Sequence, residues 1–525
     1  MNFDYIIVGA GSAGCALTHE LMKSGHKVLV LEAGGSDRSP FIKIPACIFQ
    51  AIKRYDWGYE AQPDPTRNGK IERSFRGRVL GGSSSINGMK FARPAAADLD
   101  HWSALCGHVG GWSGRELMPI LRGLETSDQH SALRGKEGPL SVRTIKRPHP
   151  ITDAFIQSAC TAGHRFNSDY NGDSEEGVAY AQLTQRRGLR CSAADAFLRP
   201  HLGNKDLTLL LNALVHKIEV ENGRAVALVY LHRGQIKRAT AGRIVLSAGV
   251  FNSPKLLMLS GIGNPVELER HNIDVVLDLP GVGRRFQEQQ FLRPGYRSKI
   301  PTYNPTQGLR QKLSIVGKFL FHREGPICSL YEGHGALKSS EAECDPDIRL
   351  TFYPILYLHM PDGSHQLAPY PGVMLSLTKC YPKSRGQIRL ASKNPSDAPI
   401  IEYDLLESRE DVDTLIRGIR AVRRIMGSDP IATLLQEEVV PGPHVQDDTS
   451  LEAFVRKYTS VPQNAVGSCR MGVDGDAVVG PDLRVRGMEN LWIADGSIMP
   501  DHVGHDTNAT CMMIGAKLGR EFCRE

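Results

Sequence analysis

An α/β fold is predicted by three features of the first part of this chain. Tyr5-Ile6-Ile7-Val8 is a short β-rich apolar run, which reads as a buried strand rather than as the basic start of a signal peptide. Gly9-Ala10-Gly11-Ser12-Ala13-Gly14 follows and leads into an amphipathic stretch from Cys15 to Ser24, a helix stopped at Gly25. Lys27-Val28-Leu29-Val30-Leu31-Glu32 is then a second strand that ends in a carboxylate. That order is a βαβ unit of Rossmann type. Its glycines let backbone approach a pyrophosphate, its helix N-terminus offers N–H donors and partial positive charge, and Glu32 can accept from a ribose hydroxyl.

Later segments extend this pattern. Leu207–Leu211, Ala225–Tyr230 and Arg243–Gly249 read as strands, the last ending in Ala248-Gly249, small residues suited to close cofactor approach. From about Gln290 the chain is expected to be irregular. Asp347–Tyr353, Gly372–Leu377 and Gln387–Ala391 then alternate or run apolar like strands. Asp411–Met426 reads as a helix with Val412, Leu415, Ile416, Ile419, Val422 and Ile425 on its apolar face and Arg417, Arg420, Arg423 and Arg424 on a solvated one.

Composition narrows the function. The 525 residues carry 63 basic and 57 acidic side chains, a net charge of +6 with no Lys/Arg block, so a nucleic-acid partner is not expected. No apolar run approaches the about 18 residues of a membrane span. The 11 cysteines are scattered and never form a CxxC pair, which points to free thiols in a reducing, cytoplasmic setting and away from a zinc site.

Two longer motifs discriminate between NAD and FAD, both of which present an ADP half. The first is Gly77-Arg78-Val79-Leu80-Gly81-Gly82-Ser83-Ser84-Ser85-Ile86-Asn87, continuing through Gly88, Met89, Phe91 and Pro94. The second runs from Val461-Pro462-Gln463-Asn464-Ala465 through Asn490-Leu491-Trp492-Ile493-Ala494-Asp495-Gly496-Ser497 to Asn508. Both closely resemble signatures of the glucose–methanol–choline (GMC) family of FAD-dependent oxidoreductases. Asp56-Trp57-Gly58-Tyr59, Asn252-Ser253-Pro254-Lys255 and Ser384-Arg385-Gly386-Gln387 extend the resemblance over nearly the whole chain, with Val250 a small departure.

The resemblance implies a Rossmann-like FAD-binding domain built from residues 1–145, 185–290 and 462–525. It implies an α+β substrate domain on an antiparallel sheet from residues 146–184 and 291–461. It implies FAD contacts at Gly9, Gly11, Ser12, Ala13, Gly14, Glu32 and Ala33 in the first unit, and at Trp57. The same holds for Arg78, Val79, Gly81, Gly82, Ser83, Asn87, Gly88 and Met89, for Val215 beside the adenine, and for Ala248, Gly249, Asp495, Gly496 and Asn508. Asn87 stands where some relatives carry a flavin-linking histidine, so the FAD is expected to be noncovalent. A small-molecule substrate and an oxygen or quinone-like electron acceptor are implied as well.

The chemistry departs from the family. Relatives remove a hydroxyl proton with an active-site histidine while hydride passes to flavin, and a second His or Asn holds the substrate oxygen. Asn508 matches the second position, but the first is Asn464, and a carboxamide cannot take a proton. Three readings follow. His505 or His502 substitutes as base, the substrate needs little base assistance, or the chain has moved to a redox-neutral reaction such as a lyase, isomerase or decarboxylase. Arg285 and Gln289 replace an amide and the histidine of an Asp-His pair, and His505-Asp506 replaces a Gly-Asn pair, so they join Asn464 in one remodelled cluster. Tyr353, Tyr357, His359 and His334 are candidates for the substrate wall, the last in a loop with Glu332. No metal is expected at His502 and His505.

Overall fold

The computed structural model describes residues 3–304, 317, 319, 321, 325–359 and 365–525. Five parallel strands form its first sheet, in the order Leu207–Leu211, Val28–Glu32, Phe3–Val8, Ala241–Leu246, Leu491–Ile493. Parallel strands are covered on both faces, so they read as unbroken apolar runs. Ile6, Ile7, Val28, Val30, Ile244, Val245 and Leu246 have no exposed surface. Beside this sheet, Ala213–Glu221, Arg224–His232 and Gln235–Ala239 make a separate three-stranded antiparallel sheet.

The second large sheet is antiparallel. Its order is Leu435–Val440, Gly295–Ser298, Gly372–Lys379, Ile348–Tyr353, Gly333–Leu337, Gly177–Tyr180, and Phe291–Leu292 also pairs with Gly372–Lys379. Helix Arg409–Met426 lies on one face, where Val412, Leu415, Ile419 and Val422 are buried in the same core as Leu375 and Leu377. On its solvent side Arg417 approaches Glu343 at 3.5 Å, Arg423 pairs with Glu438 at 2.8 Å and Arg420 pairs with Asp448.

Two expectations need correction. The stretch after Gln290 does not begin irregularly, because Phe291–Leu292 and Gly295–Ser298 are strands. Pro294 falls between them, Pro301 follows, and Arg293 and Arg297 break the apolar pattern, so the run was too short to read. Gln387–Arg389 is a strand, but it pairs with Ile400–Glu402 in a two-stranded ladder outside the large antiparallel sheet.

The helix Ser12–Lys23 packs against the last helix, Asn508–Phe522, at backbone distance. A Cβ on Gly515 would lie 2.1 Å from the carbonyl oxygen of Ala13. That approach sets the two helix N-termini side by side at the carboxyl ends of the parallel strands, where an α/β sheet binds its ligand. Among the described residues no helix is long and apolar enough to cross a membrane.

Gly515→Ala is therefore expected to force the two helices apart and to cost about 1–3 kcal/mol, the range for overpacking. Urea unfolding checks it, with a fall in the transition midpoint expected at unchanged slope.

Candidate active site

The two helix N-termini open on one cavity of about 1360 Å³. Ordinary small-molecule pockets enclose about 300–1,000 Å³, so this one has room for more than a small substrate. At its outer end Gly9, Gly11, Ser12 and Ala13 line the first helix turn, and Thr507 and Asn508 line the other. Two partial positive helix ends facing one space suit a diphosphate. Ser12 Oγ donates to Asn508 Oδ1 at 2.6 Å, which locks the two turns together.

The rest of the outer wall follows the motifs. Glu32 and Ala33 line it from the second strand, Trp57 from the loop after the third helix, and Val215, Ala248 and Gly249 from beside the parallel sheet. Glu32 accepts from the N–H of Ala10 at 2.9 Å and of Gly34 at 2.7 Å, and burial raises its carboxyl to about 7. Gly82, Ser83, Asn87, Gly88 and Met89 form the facing loop, and Gly496 closes it beside Asp495. Asp495 Oδ2 is itself fixed by the Gly249 N–H at 2.8 Å and Ser253 Oγ at 2.6 Å.

Four residues expected at the cofactor do not line the cavity; they shape its walls instead. Gly14 faces the interior, where a Cβ would meet Gly9 O at 2.1 Å. Gly81 donates its N–H to Ala10 O at 2.8 Å. Val79 is buried with Ile42, Ala51 and Ile86. The Arg78 guanidinium stacks 4.7 Å from the Trp57 ring.

The inner end is built by strand alternation. In Ile348–Tyr353 the side chains of Arg349, Thr351 and Tyr353 line the cavity while Ile348, Leu350 and Phe352 enter the core. The neighbouring strand repeats this in register, with Thr378, Ser376 and Met374 opposite those three and Val373, Leu375 and Leu377 in the core. Tyr357 also lines the wall. His359 ends the strand Tyr357–His359, and its side chain lies outside the described residues.

Facing that wall are Asn464, Asp506 and Asn508, all on the cavity. The Asn464 N–H donates to Glu288 Oε1 at 2.7 Å, and its Nδ2 donates to Gln289 Oε1 at 3.0 Å and Asp506 Oδ1 at 3.1 Å. Both amide hydrogens are thus engaged, which leaves Oδ1 as the free atom of that carboxamide. Asn508 is the reverse, for its Oδ1 takes the Ser12 hydroxyl and its Nδ2 remains as a donor. Asp506 Oδ2 lies 3.7 Å from Lys90 Nζ and 3.8 Å from Arg349 Nη1. Burial alone would raise this carboxyl, but Lys90, Arg349 and the Asn464 amide hold it down at about 2. It is an anion, not a base.

No histidine is among the described residues that line the cavity. His502 is buried, with Nε2 3.0 Å from Asn464 O and Nδ1 against Val503 O, and burial holds its imidazole down at about 4. His505 has Nδ1 3.0 Å from Arg349 Nη1 and Nε2 against Glu175. Arginine can only donate, so Nδ1 is the acceptor in that contact and the other ring nitrogen faces the Glu175 carboxylate. His334 is not in a loop but in the strand Gly333–Leu337, stacked 3.9 Å from Tyr170 and away from the cavity. Glu332 likewise turns inward to His149 N, Thr152 and Tyr303.

Gln289, His505 and Asp506 do gather around Asn464, but Arg285 does not. It is exposed, in a left-handed turn at φ 57°. The cation of the cluster is Arg349, which donates to Gln289 Oε1 at 3.1 Å. Lys90, Arg349 and Thr351 were missed from the sequence. A lysine between Met89 and Phe91 in a motif dominated by small residues, and the odd positions of Ile348–Tyr353, carried the signal.

Comparison with known proteins agrees with the motifs. The family models for the two parts of GMC oxidoreductase match residues 3–291 and 382–515. This chain belongs to the GMC oxidoreductase family. It is 36% identical to an alcohol dehydrogenase [acceptor] of Pseudomonas putida, over 100% of this chain and 96% of that one. It is 35% identical to an oxygen-dependent choline dehydrogenase of Rhizobium meliloti, over 99% and 96%. Among solved structures, pyridoxine 4-oxidase of Mesorbium loti superposes with a TM-score of 0.91 at 27% identity, covering 100% of both chains. The cofactor of this GMC oxidoreductase is FAD, and the long cavity with paired helix N-termini and Glu32 at its outer end fits it.

Asp506→Asn would leave Lys90 and Arg349 on the wall without their anion. A loss of about 3 kcal/mol is expected, the low end for breaking a buried ion pair because Asp506 is partly open to the cavity. Equilibrium unfolding of the FAD-loaded variant measures it.

Proposed function

We propose that this GMC oxidoreductase oxidises the CH–OH group of a small organic alcohol, with Asn464 at the position where its relatives carry a histidine. The observation that carries the reading is the continuity of one cavity. Its outer end holds the dinucleotide cradle, and its inner end is a polar strand face opposite Asn464 and Asn508. The relatives named for alcohol and choline support the same class of donor. When bound, FAD supplies the hydride acceptor. In this reading the Asn508 Nδ2–H group holds the substrate oxygen, while Thr351, Ser376 and Tyr353 shape the wall around the rest of the molecule. Oxygen or a quinone-like compound then removes the electrons.

The FAD is held without a covalent bond in this reading. Asn87 Oδ1 accepts from Arg190 Nη1 at 2.7 Å and from the Met89 N–H at 3.0 Å, so its carboxamide is a structural clasp. The one cysteine among the described lining residues, Cys511, is kept a thiol because burial pushes it up to about 12. Eleven unpaired cysteines suit a reducing cytoplasmic setting.

Two measurements test this. Acid precipitation should release all of the flavin into the supernatant; flavin that stays with the polypeptide contradicts noncovalent binding. Anaerobic mixing with primary alcohols should bleach the flavin band. Turnover without bleaching would place the enzyme in a redox-neutral class, a lyase, isomerase or decarboxylase. Asn464→His, loaded with FAD, is expected to keep or raise the rate of bleaching by simple alcohols.

A further inference from the structure

The inner end of the cavity lacks a histidine, yet it does not lack a nitrogen base. We propose that Lys90 is the general base of this enzyme, taking the substrate's hydroxyl proton onto Nζ in place of the absent imidazole. The proposal rests on the CH–OH reading above.

Lys90 lines the same cavity as Asn464 and Asn508. Its Nζ donates to Thr351 Oγ1 at 2.9 Å and stands 3.7 Å from Asp506 Oδ2, the carboxylate whose other oxygen takes the Asn464 amide. The residue before it, Met89, is left-handed at φ 66°, a conformation that a methionine adopts only when its surroundings impose it. The imidazoles nearby are closed to substrate, His502 on carbonyl oxygens, His505 between Arg349 and Glu175, and His334 on Tyr170.

The groups around Lys90 set its protonation. Asp506 and Arg349 face it from the opposite loop and the neighbouring strand, and their charges oppose each other. Cys380, just past the strand Gly372–Lys379, and His334, in the strand Gly333–Leu337, face it as well, Cys380 a thiol because burial raises it and His334 neutral because burial lowers it. The phenols of Tyr331 and Tyr353, both raised by burial, stay uncharged. Burial is the largest influence; Asp506 works against it and Arg349 with it, and the Lys90 ammonium comes down to about 8. A usable fraction of free amine is present near neutrality, which an ordinary lysine does not offer.

The step balances. The hydroxyl O–H bond breaks and its proton goes to the Nζ lone pair. The oxygen keeps the electron pair, which becomes the second C=O bond as the C–H hydride departs to the oxidised cofactor. The ammonium so formed is held by Asp506. Lys255, also lowered to about 8, is no rival because its ammonium is bound to the carbonyls of Pro395 at 2.7 Å and Asp397 at 2.5 Å.

The test uses the FAD-loaded enzyme, Lys90→Met and Lys90→Arg. An alcohol that bleaches the wild-type flavin is first required, and if none does, the CH–OH reading itself fails. With such an alcohol, the second-order rate of bleaching should climb with pH to a plateau through a midpoint near 8. Lys90→Met should lower that rate about 10²–10⁴-fold, the usual share of a general base, and abolish the rise. Lys90→Arg keeps the cation beside Asp506 but cannot titrate in this range, so it should lose rate and rise alike. A Lys90→Arg enzyme with wild-type rate and profile overturns the proposal and leaves Lys90 as a fixed charge. Independently of turnover, the pH dependence of Lys90 acetylation by acetic anhydride, read by peptide mass spectrometry, should give the same midpoint near 8. A midpoint in the ordinary lysine range, or no reaction at any pH, overturns it as well.

Discussion

The backbone contact between the first and last helices is the constraint on which the site depends. Ala13 and Gly515 are separated by nearly the whole chain, and they meet closely enough that no side chain fits between them. Because that contact fixes both helices, it also fixes Ser12 against Asn508 at 2.6 Å. One hydrogen bond of this kind contributes only about 1 kcal/mol to stability. It also takes up Asn508 Oδ1, which leaves Nδ2 as the remaining donor of a residue that lines the cavity. The glycine-rich turn thus also orients a carboxamide of the cavity wall.

Charge organises the other side of the cavity. Asp506 sits 3.7 Å from one cation and 3.8 Å from another, with Asn464 donating to its second oxygen. At such spacings each pair interacts with on the order of 4 kcal/mol at an effective dielectric of about 20, before the cost of desolvation is counted. That attraction outweighs the burial that would otherwise protonate the acid, and the carboxyl falls to about 2. The balance for Lys90 runs the opposite way, for Arg349 works against Asp506 and burial prevails. The same buried cluster therefore makes its acid a poor base and its lysine a serviceable one.

Much of this was legible in the residues. The βαβ unit could be read because glycine spacing, helix periodicity and a terminal acid are local features, and the parallel strands because burial on both faces leaves unbroken apolar runs. The antiparallel wall was half legible. Asp347–Tyr353 was read as a strand and Tyr353 put on the substrate wall, but the alternation was not followed to Arg349 and Thr351, which share that cavity face. Other features could not be read locally. That Arg285 is exposed while Gln289, four residues on, supports Asn464 follows from a left-handed turn with no marker in the sequence. His502 and His505 were near Asn508 in sequence and so were natural candidates, but proximity along the chain does not say which way a ring faces. Lys90 was passed over because it lies inside a motif read for its small residues.

Asn464 takes on a different meaning in this setting. An imidazole at that position would stand among Lys90, Arg349 and buried surface, all of which disfavour its protonated form, so it could act as a base only by giving up part of its basicity. A carboxamide has no proton to exchange, and both of its hydrogens go to fixed acceptors, Gln289 and Asp506. By donating to Asp506 it helps to keep that group anionic, and the anion in turn limits how far burial can depress Lys90. Without the amide the carboxyl would rise, the lysine would lose part of its counter-charge, and its ammonium form would be less well held after the proton arrived. If Lys90 takes the proton as proposed, Asn464 serves not as the acceptor but as a group that tunes it through Asp506.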